Sequence, residues 1–133
     1  MAGSVTFTNR AERKKDGLKC LEMAWTATSG GAVSGNASEA IRGEIVKIVT
    51  DPGTPAPTDN YDIVINDEHG LDVAEGQLAN RHTTTTQVVY PGVNLTDGSN
   101  TAVHRTGVCG TLTPVISTAG NLAQGTIYLY YKE

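Results

Sequence analysis

The sequence is poor in aromatic residues, with one Trp, one Phe and five Tyr in 133 residues. That supply is thin for a sugar-stacking cleft, and a base-stacking platform lacks the aromatics that would sit between its cations. Cysteine is scarce too. Cys20 and Cys109 are too few and too far apart for a disulfide framework or a zinc site. Each lies in an apolar, strand-like run, so each reads as a small buried hydrophobe. No apolar run approaches membrane-spanning length, and MAGSVTFTNR has no signal-peptide core. The expectation is a chain made in the cytoplasm that stays soluble and contacts no membrane. Charged residues make up only 18% of the chain, below the usual quarter or so. Thr, Gly, Ala, Asn and Ser take their place. Such a surface suits a protein covered by neighbours, and equally a β-rich domain with many turns.

The net charge of −4 argues against a general nucleic-acid binder. Its distribution is uneven. Residues 1–20 hold Arg10, Arg13, Lys14, Lys15 and Lys19 against Glu12 and Asp16, so the remaining residues carry −7. A basic end and an acidic body allow head-to-tail contacts between copies or docking on an acidic partner; a solvated hairpin tip explains the same cations.

Alternation with a period of two dominates, and no helical stripe competes with it. Ser4 to Asn9 alternates Val5 and Phe7 with polar residues, and Asp16-Gly17 signals a turn. Leu18 to Thr28 follows, with Leu21, Met23, Trp25 and Ala27 on one face. Leu18 and Cys20 fall on the other, which implies two partly buried faces or a bulge. Ile41 to Thr50 places Val46 and Ile48 on one face and Ile45 and Val49 on the other, as in a strand covered on both sides. Tyr61, Ile63 and Ile65 point inward from Tyr61 to Asn66. Asp67 to Gly70 then closes a hairpin whose returning strand begins at Leu71 to Val73. EGQLANRHTTTT leaves room for a helical turn, Gln87 to Tyr90 is β-prone, and Asp97 to Asn100 is a turn. Val108 to Ser117 and Thr126 to Lys132 end the chain. Seven or eight strands without repeat or boundary predict one all-β domain over residues 1–133, an antiparallel sandwich or small barrel.

The chemistry concentrates in one stretch, VTDPGTPAPTDNYDIVINDEHGLDV, where Val49 to Val73 carries six carboxylates and Glu75 follows closely. Asn66, Asp67, Glu68 and Asp72 offer oxygens to calcium, but their spacing lacks the regular calcium loop and its closing glutamate. Each acid has a structural explanation: Asp51, Asp59, Asp67 and Glu68 fall on turn or link positions, Asp62 and Asp72 on the polar parity of strands, and Glu75 at a strand's end. His69, His82 and His104 stand apart from one another. GAVSGNAS lacks the nucleophile elbow, and Cys109 has only His104, five residues back, as a possible base. Neither glycine-rich phosphate motif occurs. The expectation is a protein that is not an enzyme, with no catalytic residue, metal or cofactor.

From GEIVKIVTDPG through the proline link to PTDNYD, then DEHGLDV and GQLANR, the chain resembles small β-rich proteins encoded among the virion-assembly genes of tailed bacteriophages and prophages. Ser117 to Tyr130 fits the same group through its S-x-A-G-N-x-x-x-G-x-I-x-L-Y shape, as does Lys19 to Trp25. The basic tip from Arg10 to Lys15 departs from it. The resemblance implies a virion structural protein, assembled as a homo-oligomer with capsid, portal or neck, or tail subunits. Capsid decoration or a neck or collar role stands ahead of a tail role. An adhesion or carbohydrate-binding module using loops 29–38 and 91–102 is the alternative from another class. Arg10, Arg13, Lys14, Lys15, Tyr128 and Tyr130 are the interface candidates. The last two lie on the final strand, TIYLYYK, which is apolar on both faces and reads either as an interface strand or as a central one.

Overall fold

Ten antiparallel strands form among the described residues of the computed structural model, which are 3–10, 18–97 and 100–133, with side chains described outside 93–104. In chain order they are β1 (Ser4–Arg10), β2 (Lys19–Thr26), β3 (Ile41–Pro52), β4 (Asp62–Asn66), β5 (Gln87–Val89), β6 (Gly92–Asp97), β7 (Asn100–Arg105), β8 (Gly107–Gly110), β9 (Thr113–Ser117) and β10 (Gln124–Lys132). Six of them make one sheet in the order β1-β2-β10-β3-β5, and β8 pairs with the start of β3. β4 and β9 form a second, two-stranded sheet, and β6 and β7 form a separate hairpin. The fold is an all-β sandwich with unclosed sheets, and eight of the ten strands make its body.

Alternation explains the core. Leu21, Met23 and Trp25 of β2 and Ile127, Leu129 and Tyr131 of β10 are buried on one face of the large sheet. Tyr61, Ile63 and Ile65, on and just before β4, and Ile116 of β9 join the same apolar cluster. Trp25 and Tyr61 meet with ring centroids 5.8 Å apart, in the tilted arrangement that aromatic quadrupoles favour.

Three sequence expectations need correction. Ile45 and Ile48 are both fully buried, although an unbroken period would put them on opposite faces. Tyr130 pairs with Lys47 and Tyr131 with Ile45, so Val46 is a bulged extra residue that restores the inward phase. Val108 to Ser117 is two strands rather than one. Gly110 separates them at a φ of 137°, a conformation that side-chain-bearing residues rarely adopt. Residues 92–105, read as a loop around a turn, form the β6–β7 hairpin. The turn's centre, like Asp16-Gly17, lies outside the described residues.

β10 is central. It pairs with β2 on one side and β3 on the other, so the final strand is not a free edge. In β2 the register runs without a shift, so Cys20 faces away from Leu21 and Met23 and is nevertheless buried.

Candidate functional site

The acid-rich segment is where sequence placed the chemistry, and its carboxylates point at backbone. Asp72 has the most partners: Oδ1 accepts the Ile65 and Ala74 amides, both at 3.0 Å, and Oδ2 accepts that of Gly76 at 2.9 Å. Asp67 Oδ1 accepts the amides of His69 at 2.8 Å and Leu71 at 3.0 Å. Those two donors hold the Asp67 carboxyl below its ordinary range, the Leu71 amide most of all. Asp62 accepts from the Asn80 amide at 2.8 Å, Asp59 from that of Thr83 at 3.2 Å, and Glu68 from that of Thr111 at 3.3 Å. Asp51 accepts the Thr86 hydroxyl at 3.0 Å. Six of the seven acids therefore fasten loops. The seventh, Glu75, sits in a turn with a φ of 55°.

This bonding displaces the returning strand expected at Leu71 to Val73. Only an isolated Asn66–Asp72 bridge forms there, and the chain enters consecutive turns from Val73 to Leu78. No helix forms in the stretch that follows. Of the residues weighed for calcium, Asp67, Glu68 and Asp72 each accept from different amides, and among the described residues no group of three or more His, Cys, Asp or Glu is placed to share an ion.

The interface candidates divide. Arg13, Lys14 and Lys15 lie outside the described residues. Arg10, Tyr128 and Tyr130 are brought together on the outward face of the large sheet, although 118 residues separate Arg10 from Tyr128 in sequence. Arg10 pairs with Glu22 at 2.7 Å. Across the ladder, Glu22 lies opposite Tyr128, and Cys20 opposite Tyr130. Lys47 completes the row, its Nζ 4.8 Å from the centre of the Tyr130 ring, a cation–π contact. Thr6, Thr8 and Ala24 are exposed on the same face, and both tyrosines are half-buried. Burial lifts the Tyr128 hydroxyl above its usual range, and Glu22 and Asp51 add to the effect. Burial likewise pushes the Cys20 thiol up. Arg10 opposes that shift, Glu22 supports it, and a hydrogen bond with Tyr130 opposes it. The surface is thus a nearly neutral sheet face with two tyrosines at its centre.

Cys109 is exposed, against the expectation of a buried hydrophobe, and both cysteines are free. It faces a cleft of about 410 Å³ shared with Lys19, Arg42, Glu68, Tyr131 and Glu133. Several of the cleft's polar groups are paired: Lys19 with Glu133 at 3.0 Å, the Tyr131 hydroxyl with Asn9 Oδ1, to which it donates at 3.1 Å, and Glu68 with the Thr111 amide. No histidine among the described residues lines it, and the side chain of His104, the base weighed for Cys109, lies outside them. Sequence reasoning did not find this cleft, because β3, β8 and β10 meet there only through long-range pairing.

An open sandwich with a flat, mixed face is the class that the fold defines. No protein-family model, curated protein or solved structure matches the chain. The phage-protein resemblance therefore stands on its quoted motifs alone.

Proposed function

We propose that the chain is a non-enzymatic structural protein of a bacteriophage virion, a capsid-decoration or neck/collar subunit packed in symmetric arrays on other virion proteins. The observation that carries this reading is the motif run from Val49 to Arg81, together with Ser117 to Tyr130. The outward sheet face supports it. Threonines, alanine, two half-buried tyrosines, one paired Arg–Glu couple and Lys47 stacked on Tyr130 make a sparsely charged surface, with aromatic anchors of the kind interfaces favour. The acid-rich loops support it as well, since their carboxylates are engaged in holding the fold. Assembly would take place in the host cytoplasm, with the mature protein in the particle.

Quantitative mass spectrometry of purified particles tests the proposal. Copies comparable to the major capsid protein fit decoration, and about a dozen or a small multiple fit a neck ring. Particles that lack the chain overturn the reading and favour a binding module.

A further inference from the structure

Among the described residues, the seven of β1 form an open sheet edge, and the other edges of the sandwich body are short or covered. The far edge of β4 is closed by residues 72–81: Leu78 O accepts the Ile63 amide at 3.0 Å, and the Val73 amide donates to Ile65 O at 2.8 Å. β9 is closed by Val33, whose N–H and C=O both bond Ile116, at 2.9 and 3.0 Å. β5 has three residues and is followed by Pro91, and β8 has four residues with a glycine at each end. Proteins blunt exposed edges by such means. β1 has none of them. It pairs with β2 from Ser4–Thr26 to Arg10–Cys20 without a register shift, and it contains no proline, lysine or bulge. Among the described residues no backbone group of β1 bonds beyond β2: Asn36 Nδ2 donates to Gly3 O just before the strand at 3.3 Å, and the Tyr131 hydroxyl reaches only the Asn9 side chain, at 3.1 Å. Val5 and Phe7 point inward but are only partly covered, and a cavity of about 240 Å³ opens beside Phe7, Asn9, Leu21 and Glu39.

We propose that this edge takes a second copy of the chain, β1 against β1 and antiparallel, making one continuous sheet across a two-fold axis. The axis is perpendicular to the sheet and preserves its faces, so opposed residues must share parity. Centred on Phe7, the register places Ser4 opposite Arg10, Val5 opposite Asn9 and Thr6 opposite Thr8, and it pairs the whole strand. Moving it by two residues either way leaves β1 residues unpaired. Charge agrees with this register. Arg10 is the strand's one ionised residue. The two copies of it sit at opposite ends of the seam, about 20 Å apart along the strand, beyond a physiological screening length of about 8 Å. Like charges therefore meet nowhere along it. Each Phe7 gains an aromatic neighbour across the axis, and threonine faces threonine outside, both favourable cross-strand pairs. The strand-addition mode is one that sheet edges use generally.

This inference deepens the assembly reading above but is measured in solution, so its failure and that of the virion assignment are separate results. Sedimentation equilibrium of the full chain up to about 100 µM reads it, with Kd the measured quantity. The wild type dimerises. Thr6→Lys with Thr8→Lys sets like charges opposite each other twice and weakens the dimer about tenfold or more. Thr6→Glu with Thr8→Lys sets opposite charges there and restores it, and it keeps an acid away from Glu22, which faces residue 8 across the β1–β2 ladder. Both threonines are exposed, so both double variants keep the wild-type melting temperature within a few degrees. A wild type that stays monomeric overturns the proposal. So does a dimer that responds alike to the two double variants, or one that ignores both.

Discussion

The two layers of the sandwich are held by different chemistry. In the large sheet, β2 and β3 each pair with β10 over eight residues, and the buried side of each strand is apolar except for Thr50 of β3. The opposite layer has only the five-residue β4–β9 ladder. The rest of it, between Gly53 and Thr86 outside β4, is loop and turn tied by carboxylate oxygens to amides and, through Asp51 at the end of β3, to one hydroxyl. A long ladder satisfies its own backbone groups. A short one leaves amides that need another acceptor, and a buried amide without one costs about 1–3 kcal/mol. The acid-rich composition of this stretch follows from that need.

Perturbing each layer by its own chemistry separates them. The largest effect belongs to the apolar layer: Leu129→Ala on the central strand removes about 3 kcal/mol, read by urea unfolding. Asp72→Ala strands three amides at once and costs about 2 kcal/mol, more than any other acid in the segment. Gly70→Ala costs about 1 kcal/mol, because φ is 77° there while the space around it is open. The penalty is conformational, not steric. It exceeds that of Asp67→Ala, whose exposed bonds water replaces. A loss for Asp67→Ala equal to that for Asp72→Ala would break the distinction between half-buried and exposed fasteners.

Titration sharpens the comparison. Burial pushes the Tyr61 hydroxyl up to about 12, with Arg81 opposing and Asp51 supporting the shift. The folded state thus holds a proton that the unfolded chain releases near 10. This contribution is fully present below pH 10 and is lost as pH rises toward 12. Tyr61→Phe should flatten that alkaline decline. Asp67 acts at the other end. Its depressed carboxyl contributes stability above its unfolded pKa, near 4, which is lost as pH falls through the folded value. The smallest perturbation leaves stability unchanged: a thiol reagent labels exposed Cys109 well before buried Cys20. Equal labelling rates would mean that Tyr130 and Arg10 do not shield Cys20.

The same contrast explains what could be read from sequence. Alternation put Leu21, Met23 and Trp25 on one face of β2 and Ile63 and Ile65 inward in β4, because a period of two needs no tertiary information, whereas β10, apolar on both faces, gave no inward side. The bulge at Val46 was hidden, since it exists only relative to Tyr130 and Tyr131 on another strand. The β6–β7 hairpin left a trace in the alternation of Val93 and Leu95, but Gly92, Asn94 and Thr96 gave the stretch the composition of a loop. At Asp72, local hydrogen bonding defeated the strand reading. Its carboxylate captures the amides of the following turn, the competition that makes Asp unfavourable within regular structure. Arg10, Tyr128 and Tyr130 were named singly from sequence. Their common face needed the β1-β2-β10 register, which no local pattern specifies.

Amide hydrogen exchange at Ala74 and Gly76 tests the central claim, that these carboxylates act as fasteners of the second layer. Both amides sit in turns, and the Asp72 carboxylate is their acceptor. The account predicts protection about tenfold or more above the unstructured rate in the wild type, lost at both positions in Asp72→Ala while Leu129 on β10 stays protected. Exchange at the unstructured rate in the wild type, or protection that survives the substitution, would contradict it.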